Sequence, residues 1–349
     1  MKNSGKSITL GRASSAIRDA IAGTGAIRGM SVRNPRGGGD KGPPDLIVDL
    51  KADGRRHRLL VIVLPRGEPF FIERAAGTVQ ANAWSKKGYP VIVAPFISDR
   101  GRSLCRHLEL GFVDLAGNAA IELPGLSIER WGKENAKREG RLLRSIFSRK
   151  ATRVLRKMLI DPKRRWTLQA LGAEAHVSVS HAQKVVARLE QEGFVEGSWG
   201  DISLKSPGGL LDAWRARYDF RDQVAVGYYL RSSGTDEVLS ALSGLGEGSY
   251  ALTLGAAASL VAPFVRTTDV HAYVTGDLDE VARSLGLESV EFGGNVHLVT
   301  PYDEGVLYDT RAVRGLSVVS DVQLYLDLYN WPMRGREQAE HLRERVLGV

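Results

Sequence analysis

Hydrophobic positions change period along the chain, and the changes divide it. From Pro44 apolar and polar residues alternate: Asp45-Leu46-Ile47-Val48-Asp49-Leu50 leads to Asp53-Gly54 and out again through Arg58-Leu59-Leu60-Val61-Ile62-Val63-Leu64. Two such runs joined by Asp-Gly predict a β-hairpin, because that dipeptide accepts the left-handed backbone of a tight hairpin turn. A third extended piece over 69–73, a helix over about 77–87, a buried strand at 90–95, a short helix near 102–108 and strands at 112–115 and 119–123 follow. Strands that alternate with helices, some without charge on either face, predict an α/β unit with a largely buried mixed sheet.

At Arg149 the period lengthens to that of a helix. Val154, Leu155, Met158 and Leu159 form one stripe, with arginines and lysines opposite, until Asp161-Pro162 stops it. Thr167 is placed to cap a short second helix over 168–175, and Ser178 opens a third that ends at Gly193. Val179, Ala182, Val186 and Leu189 are expected to form its packing face. Phe194-Val195-Glu196, a turn through Trp199 and Asp201-Ile202-Ser203-Leu204 then predict a hairpin. Three helices followed by a hairpin is the order of a winged helix-turn-helix. From about Pro207 helices and strands alternate again, predicting a second α/β or α+β domain. Residues 1–43 read as a flexible segment with one short helix near 13–22 and a glycine-rich run, Asn34-Pro35-Arg36-Gly37-Gly38-Gly39.

The 349 residues carry a formal net charge of +8 and a single cysteine, Cys105. One cysteine excludes an internal disulfide, a cysteine-based zinc cluster and a CxxC redox site, so cytoplasm is the expected compartment. The longest apolar runs fall short of the roughly 18 residues of a membrane span, and no secretory signal is evident. The charge is concentrated. Residues 130–165 hold fourteen Lys or Arg against three acids, a net of +11, leaving −3 for the remainder. Such a block suits either a polyanion partner or a solvated linker helix.

On the third helix Ser178, Ser180, His181, Gln183, Lys184 and Arg188 lie off the expected packing face, and they are types that reach base edges and phosphates. Arg164 and Arg165 precede the second helix. Trp199 at the wing tip could lie along a sugar-phosphate backbone or pack on its own domain. These nine residues are the expected DNA-binding set, against an ordinary amphipathic surface helix as the other reading.

A nuclease of the restriction-endonuclease-like fold needs an Asp on one strand and acid-x-Lys on the next to hold Mg²⁺ and assist water. Asp45 and Asp49 stand on the first strand, but Val61-Ile62-Val63-Leu64-Pro65-Arg66 supplies neither acid nor lysine, so the expectation is that fold without the reaction. The enzyme alternative is a Mg-dependent DNA nuclease using Asp45 and Asp49 with Glu73. Gly255-Ala256 and Asp269-Val270-His271 stand where a nucleotidyltransferase would carry Gly-Ser and Asp-x-Asp, lacking the serine and the second acid. Cys105 and His107, two apart on a helix, do not face each other. No catalytic residue, metal or cofactor is assigned.

Tyr250-Ala-Leu-Thr-Leu-Gly-Ala-Ala-Ala-Ser-Leu-Val-Ala-Pro-Phe264, Val270-His-Ala-Tyr-Val274, Asn295-Val-His-Leu-Val299, Ser320-Asp-Val-Gln-Leu-Tyr-Leu-Asp-Leu328 and Glu337-Gln-Ala-Glu-His-Leu-Arg343 resemble the AbiEi-type antitoxins of type IV toxin–antitoxin systems. With the winged unit, the resemblance covers about the last three-fifths of the chain. It implies a bacterial transcriptional regulator whose winged helix binds operator DNA, with the reading helix falling on 178–188. It also implies a C-terminal domain that opposes a nucleotidyltransferase toxin. Pro90-Val-Ile-Val-Ala-Pro95 with Phe112-Val-Asp-Leu-Ala-Gly-Asn118 resembles an extension of restriction-endonuclease-like fold found in some members.

The expected organisation is multidomain α/β and α+β: a flexible segment 1–43, a restriction-endonuclease-like domain 44–128, a basic linker helix 129–148, a winged helix-turn-helix 149–206 and an AbiEi-like domain 207–349. The expected function is sequence-specific regulation on double-stranded operator DNA. A nucleotidyltransferase toxin and a second copy of the chain are the expected protein partners, the dimer following from operator symmetry.

Overall fold

A computed structural model describes residues 9–22, 27–35, 44–131, 146–197, 200–231, 235–246, 248–290 and 292–349. It is a mixed α/β chain with two compact units, residues 1–143 with 188–193, and residues 144–187 with 194–349. Among the described residues no helix is long and apolar enough to cross a membrane.

The first unit is built on a seven-stranded sheet whose spatial order is its chain order: β1 (Ile27–Arg33), β2 (Leu46–Ala52), β3 (Arg55–Val63), β4 (Tyr89–Ala94), β5 (Gly111–Asp114), β6 (Ala119–Leu123) and β7 (Leu126–Arg130). The β3–β4 and β4–β5 pairs are parallel, the others antiparallel. The Asp-Gly hairpin forms as expected, with Asp53 and Gly54 at φ 46° and 74°.

Helix α1 (Leu10–Ile21) covers one face of the sheet, sinking Ala13, Ile17, Ala20 and Ile21 among Val48, Leu59, Val91 and Ile121. The other face carries α2 (Pro69–Ala81) and α3 (Asp99–His107) over Ile92, Ala94 and Phe112.

Two expectations are corrected here. Residues 69–73 are the first turns of α2, not a strand. The local run Phe70-Phe71-Ile72 looks extended, but Ile72, Ala75, Ala76 and Val79 are buried at helical spacing, and Pro69 at the first position suits a helix start. Residues 10–21 and 27–33 are core elements, not part of a flexible segment. Strand β1 hides in the sequence because Arg28, Gly29, Ser31 and Arg33 outnumber its apolar residues. The run 36–43 lies outside the described residues, as does most of the expected linker helix, 132–145.

Asp114 shows how one conspicuous motif is used. Its buried carboxylate accepts hydrogen bonds from the backbone N–H groups of Ile97, Ala116 and Asn118 and from Asn118 Nδ2, at 2.8–3.1 Å. Four donors on one buried carboxylate fix the β5–β6 turn, which gives the Phe112–Asn118 segment a structural role.

Three helices come next in the chain, α4 (Arg149–Ile160), α5 (Leu168–Glu174) and α6 (Val179–Gln191), followed by the hairpin β8 (Val195–Glu196) and β9 (Ser203–Leu204). Trp166 bridges Ile202 and so adds a third short extended segment. After α7 (Pro207–Arg215) comes a second seven-stranded sheet, formed by β10 (Ala225–Tyr229), β11 (Tyr250–Thr253), β12 (Val270–Val274), β13 (Glu288–Ser289), β14 (Val296–Val299), β15 (Arg311–Val313) and β16 (Leu316–Val318). Its order is β13-β10-β14-β12-β11-β16-β15.

Helices α8 (Thr235–Ser243), α9 (Leu254–Val261), α10 (Leu278–Ser284), α11 (Asp321–Tyr329) and α12 (Gly335–Leu342) accompany it. In α11 every residue from Val322 to Leu328 is buried. Of the segments 149–206 and 207–349, expected as separate domains, all but residues 188–193 fall in the second compact unit.

Candidate nucleic-acid interface

The α5–turn–α6 segment is set by four local devices. Thr167 Oγ1 accepts from Ala170 N–H at 3.1 Å and caps α5, and Ser178 Oγ accepts from His181 N–H at 3.2 Å at the start of α6. Gly172 permits the close approach between them, since a Cβ there would stand 3.1 Å from the Val177 carbonyl oxygen. His176 takes the left-handed conformation, φ 48°, that reverses the chain.

Helix α6 buries Ala182, Val185, Val186 and Leu189. The stripe is therefore i, i+3, i+4, i+7, rotated from the expected one, and Val179 is 42% exposed. Ser178, Ser180 and Lys184 are exposed and Gln183 is half-buried, so the N-terminal half of the helix presents a small, polar, cationic surface with one apolar residue.

His181 sits at the edge of this surface with its Nε2 buried and unpartnered. Its pKa is lowered, first by burial and then by the positive charges of Lys150, Lys184 and Arg153. Arg153 is itself paired with Asp303 and Glu304, so the unpaired positive charge beside the ring comes from Lys150 and Lys184. Lys150 and Lys184 have no acidic partner among the described residues. Lys150 was not in the expected set. It comes from α4, and sequence alone could not bring position 150 beside position 181.

The remaining expected contacts are placed differently. Arg164 forms a two-pronged pair with Glu174, at 2.5 and 3.1 Å, and its guanidinium lies 3.8 Å from the centre of the Trp166 ring. Arg165 pairs with Asp201 across the hairpin while staying exposed.

Arg188 is corrected. Its side chain is only 12% exposed and is held by Glu192, by Gln191 Oε1 at 2.8 Å and by Glu68 at 3.6 Å, so it is engaged with the protein itself. The i,i+4 spacing of Arg188 and Glu192 was visible in the sequence. Trp199 lies outside the described residues.

The basic block is corrected in part as well. The charged side of α4 is not a solvent face. Arg153 binds Asp303 at 2.8 Å and Glu304 at 2.7 Å, Lys157 binds Asp309 at 2.6 Å, and Arg156 is fully buried. Arg130 donates to the carbonyl oxygens of Asp19 and Ala22.

The enzyme alternative finds its carboxylates engaged or apart. Asp45 Oδ2 accepts from Val63 N–H at 2.7 Å, and Asp49 is paired with Arg58 at 2.6 Å and Arg33 at 3.1 Å. Asp45 immediately precedes β2 and Asp49 lies four positions on within it, about 13 Å away at 3.3 Å per residue of extended chain. Glu73 is on α2, not on a strand. Among the described residues no group of three His, Cys, Asp or Glu could hold a metal ion. Cys105 is buried and its thiol is pushed up to about 12 by burial, which makes it a poor nucleophile. Asp269 stands 3.9 Å from His297 Nε2. Compared with family models, with curated proteins and with solved structures, the chain gives no match.

Proposed function

We propose that the protein is a sequence-specific double-stranded-DNA-binding regulator that reads its site with the N-terminal half of α6. The observation that carries this reading is the exposed run Ser178, Val179, Ser180 and Lys184, joined by Lys150, with neither lysine in an ion pair among the described residues. Lysines supply phosphate contacts, a serine and a glutamine supply base-edge hydrogen bonds, and Val179 supplies an apolar contact of the kind a thymine methyl accepts. The helix amides, of which Ser178 caps one, favour a phosphate at the same end. Arg165, exposed beside the hairpin, fits a flanking backbone contact.

In this reading the three helices and hairpin are a winged helix-turn-helix. The C-terminal sheet supports it and carries the protein contacts that the AbiEi resemblance implies, a nucleotidyltransferase toxin and a second copy of the chain. The first unit is a restriction-endonuclease-like core whose carboxylates serve structure. No observation favours the Mg-dependent nuclease over it.

Anisotropy titrations of the full chain with a duplex carrying its own promoter test the reading. Lys184→Ala and Lys150→Ala should each weaken binding by roughly tenfold or less and lower the salt slope by about 1. Wild-type strength and slope in both variants would remove α6 from the interface.

A further inference from the structure

The three-stranded β1–β2–β3 ribbon has a face the proposed function leaves unused. Side chains alternate along β3, so Ile62, which joins the α2–α3 core, shares its face with Arg58 and Arg56. The helices cover the Ile62 end only. Arg56 and Arg58 are exposed, and register brings Lys51 opposite Arg56 and Asp49 opposite Arg58, with Ser31 of β1 next to Asp49. These residues line an open groove of about 610 Å³.

Asp49 is saturated by Arg58 and Arg33. Lys51 and Arg56 are left as a directly opposed pair of like charges with no acidic partner among the described residues. Like charges on opposite rungs destabilise a sheet. A fold that keeps such a pair on an uncovered face gains when an anion binds there. The floor of the groove is low, because Gly29 and Ser31 put no bulk on β1, so an extended anionic chain can reach both cations.

We propose that this ribbon face is a second DNA contact surface that takes duplex phosphates without regard to base sequence. The inference rests on the proposed DNA-binding function and extends it. Cationic side chains on a ribbon position a duplex while base edges are read elsewhere.

The test uses the full chain carrying Lys51→Ala with Arg56→Ala. Both side chains are exposed, so the double variant should fold, with a melting temperature equal to or above wild type once the repulsion is gone. Affinity for the promoter duplex and for a mixed-sequence duplex should fall together by roughly tenfold near 0.1 M salt. The salt slope should drop by about 2, and the promoter-to-random ratio should stay constant. Gln183→Ala, at a side chain assigned to base edges, should by contrast change that ratio.

A double variant with wild-type affinity and slope on both duplexes overturns the ribbon proposal while leaving the α6 reading in place if Lys184→Ala still weakens binding. Loss of binding to phosphatidylserine vesicles with unchanged DNA binding also overturns it. A wild-type chain that binds no duplex at any salt sinks both.

Discussion

Arg156→Ala should cost about 3–5 kcal/mol of unfolding free energy, the range for leaving a buried ionic network without one of its charges. The guanidinium is fully buried on the side of α4 that the sequence presents as a solvent face. Its Nε and Nη2 donate to Gln323 Oε1 at 3.0 and 2.7 Å, Nη2 to the Tyr302 hydroxyl at 2.6 Å and Nη1 to Thr152 Oγ1 at 3.1 Å. The Trp214 ring lies 4.8 Å away.

Gln323 passes the interaction on, donating through Nε2 to Asp327 Oδ1 at 2.7 Å. Asp327 also accepts from Tyr218, Tyr273 and Thr253 hydroxyls. Cation and carboxylate are thus separated by one amide in a dry interior, where each depends on the other and on every intervening donor. Removing the guanidinium orphans three acceptors at once and leaves Asp327 without its balancing charge. Urea titration at neutral pH measures the loss. Thr152→Ala, which deletes one neutral acceptor, should cost about 1 kcal/mol. Equal small effects from both variants would show that the network carries little of the stability.

His271→Gln should flatten the acid limb of stability. His271 is buried, stacked on His297 with ring centres 4.3 Å apart and enclosed edge-on by Phe220 and Trp331. Burial first, then the neighbouring His297, pushes its pKa down to about 3. The folded value lies below the unfolded one, so the neutral ring's contribution is complete above about pH 6.5 and is lost as pH falls toward 3.

Asp327 acts in the opposite sense. Burial raises it to about 6, so its contribution is present below the unfolded value and is lost as pH rises through 6. His271 moves further and dominates. Between pH 7 and pH 4 the wild type should lose about 3 kcal/mol more than the His271→Gln variant, at about 1.4 kcal/mol per pH interval of one. Because the quantity is a difference between two pH values, the neutral-pH cost of the substitution cancels. Parallel pH curves would mean the ring is free to protonate in place.

Local signals were legible, and long-range ones were not. The Asp53-Gly54 turn, the Thr167 and Ser178 caps and the buried stripe of α4 follow from residues within a few positions of each other, and each appears where its spacing places it. The α2 start was misread because three apolar residues in a row say nothing of period until Ala75, Ala76 and Val79 are counted with them.

The charged side of α4 could not be read at all. Arg153, Arg156 and Lys157 find their partners at Asp303, Gln323 and Asp309, about 150 residues on, and a run of basic residues is the same string whether it faces water or carboxylates. Among the described residues of the candidate interface, Lys150 and Lys184 are the lysines without an acidic partner. Arg188, held by Glu192, drops out of the reading set.

Site-specific photo-crosslinking tests the central claim most directly. With a benzoylphenylalanine in place of Ser180, irradiation of the full chain on its own promoter should give a protein–DNA adduct that unlabelled promoter suppresses better than random duplex. The same residue in place of exposed Arg345 should give none. An adduct absent from position 180, or equally strong from position 345, would contradict a reading helix at α6.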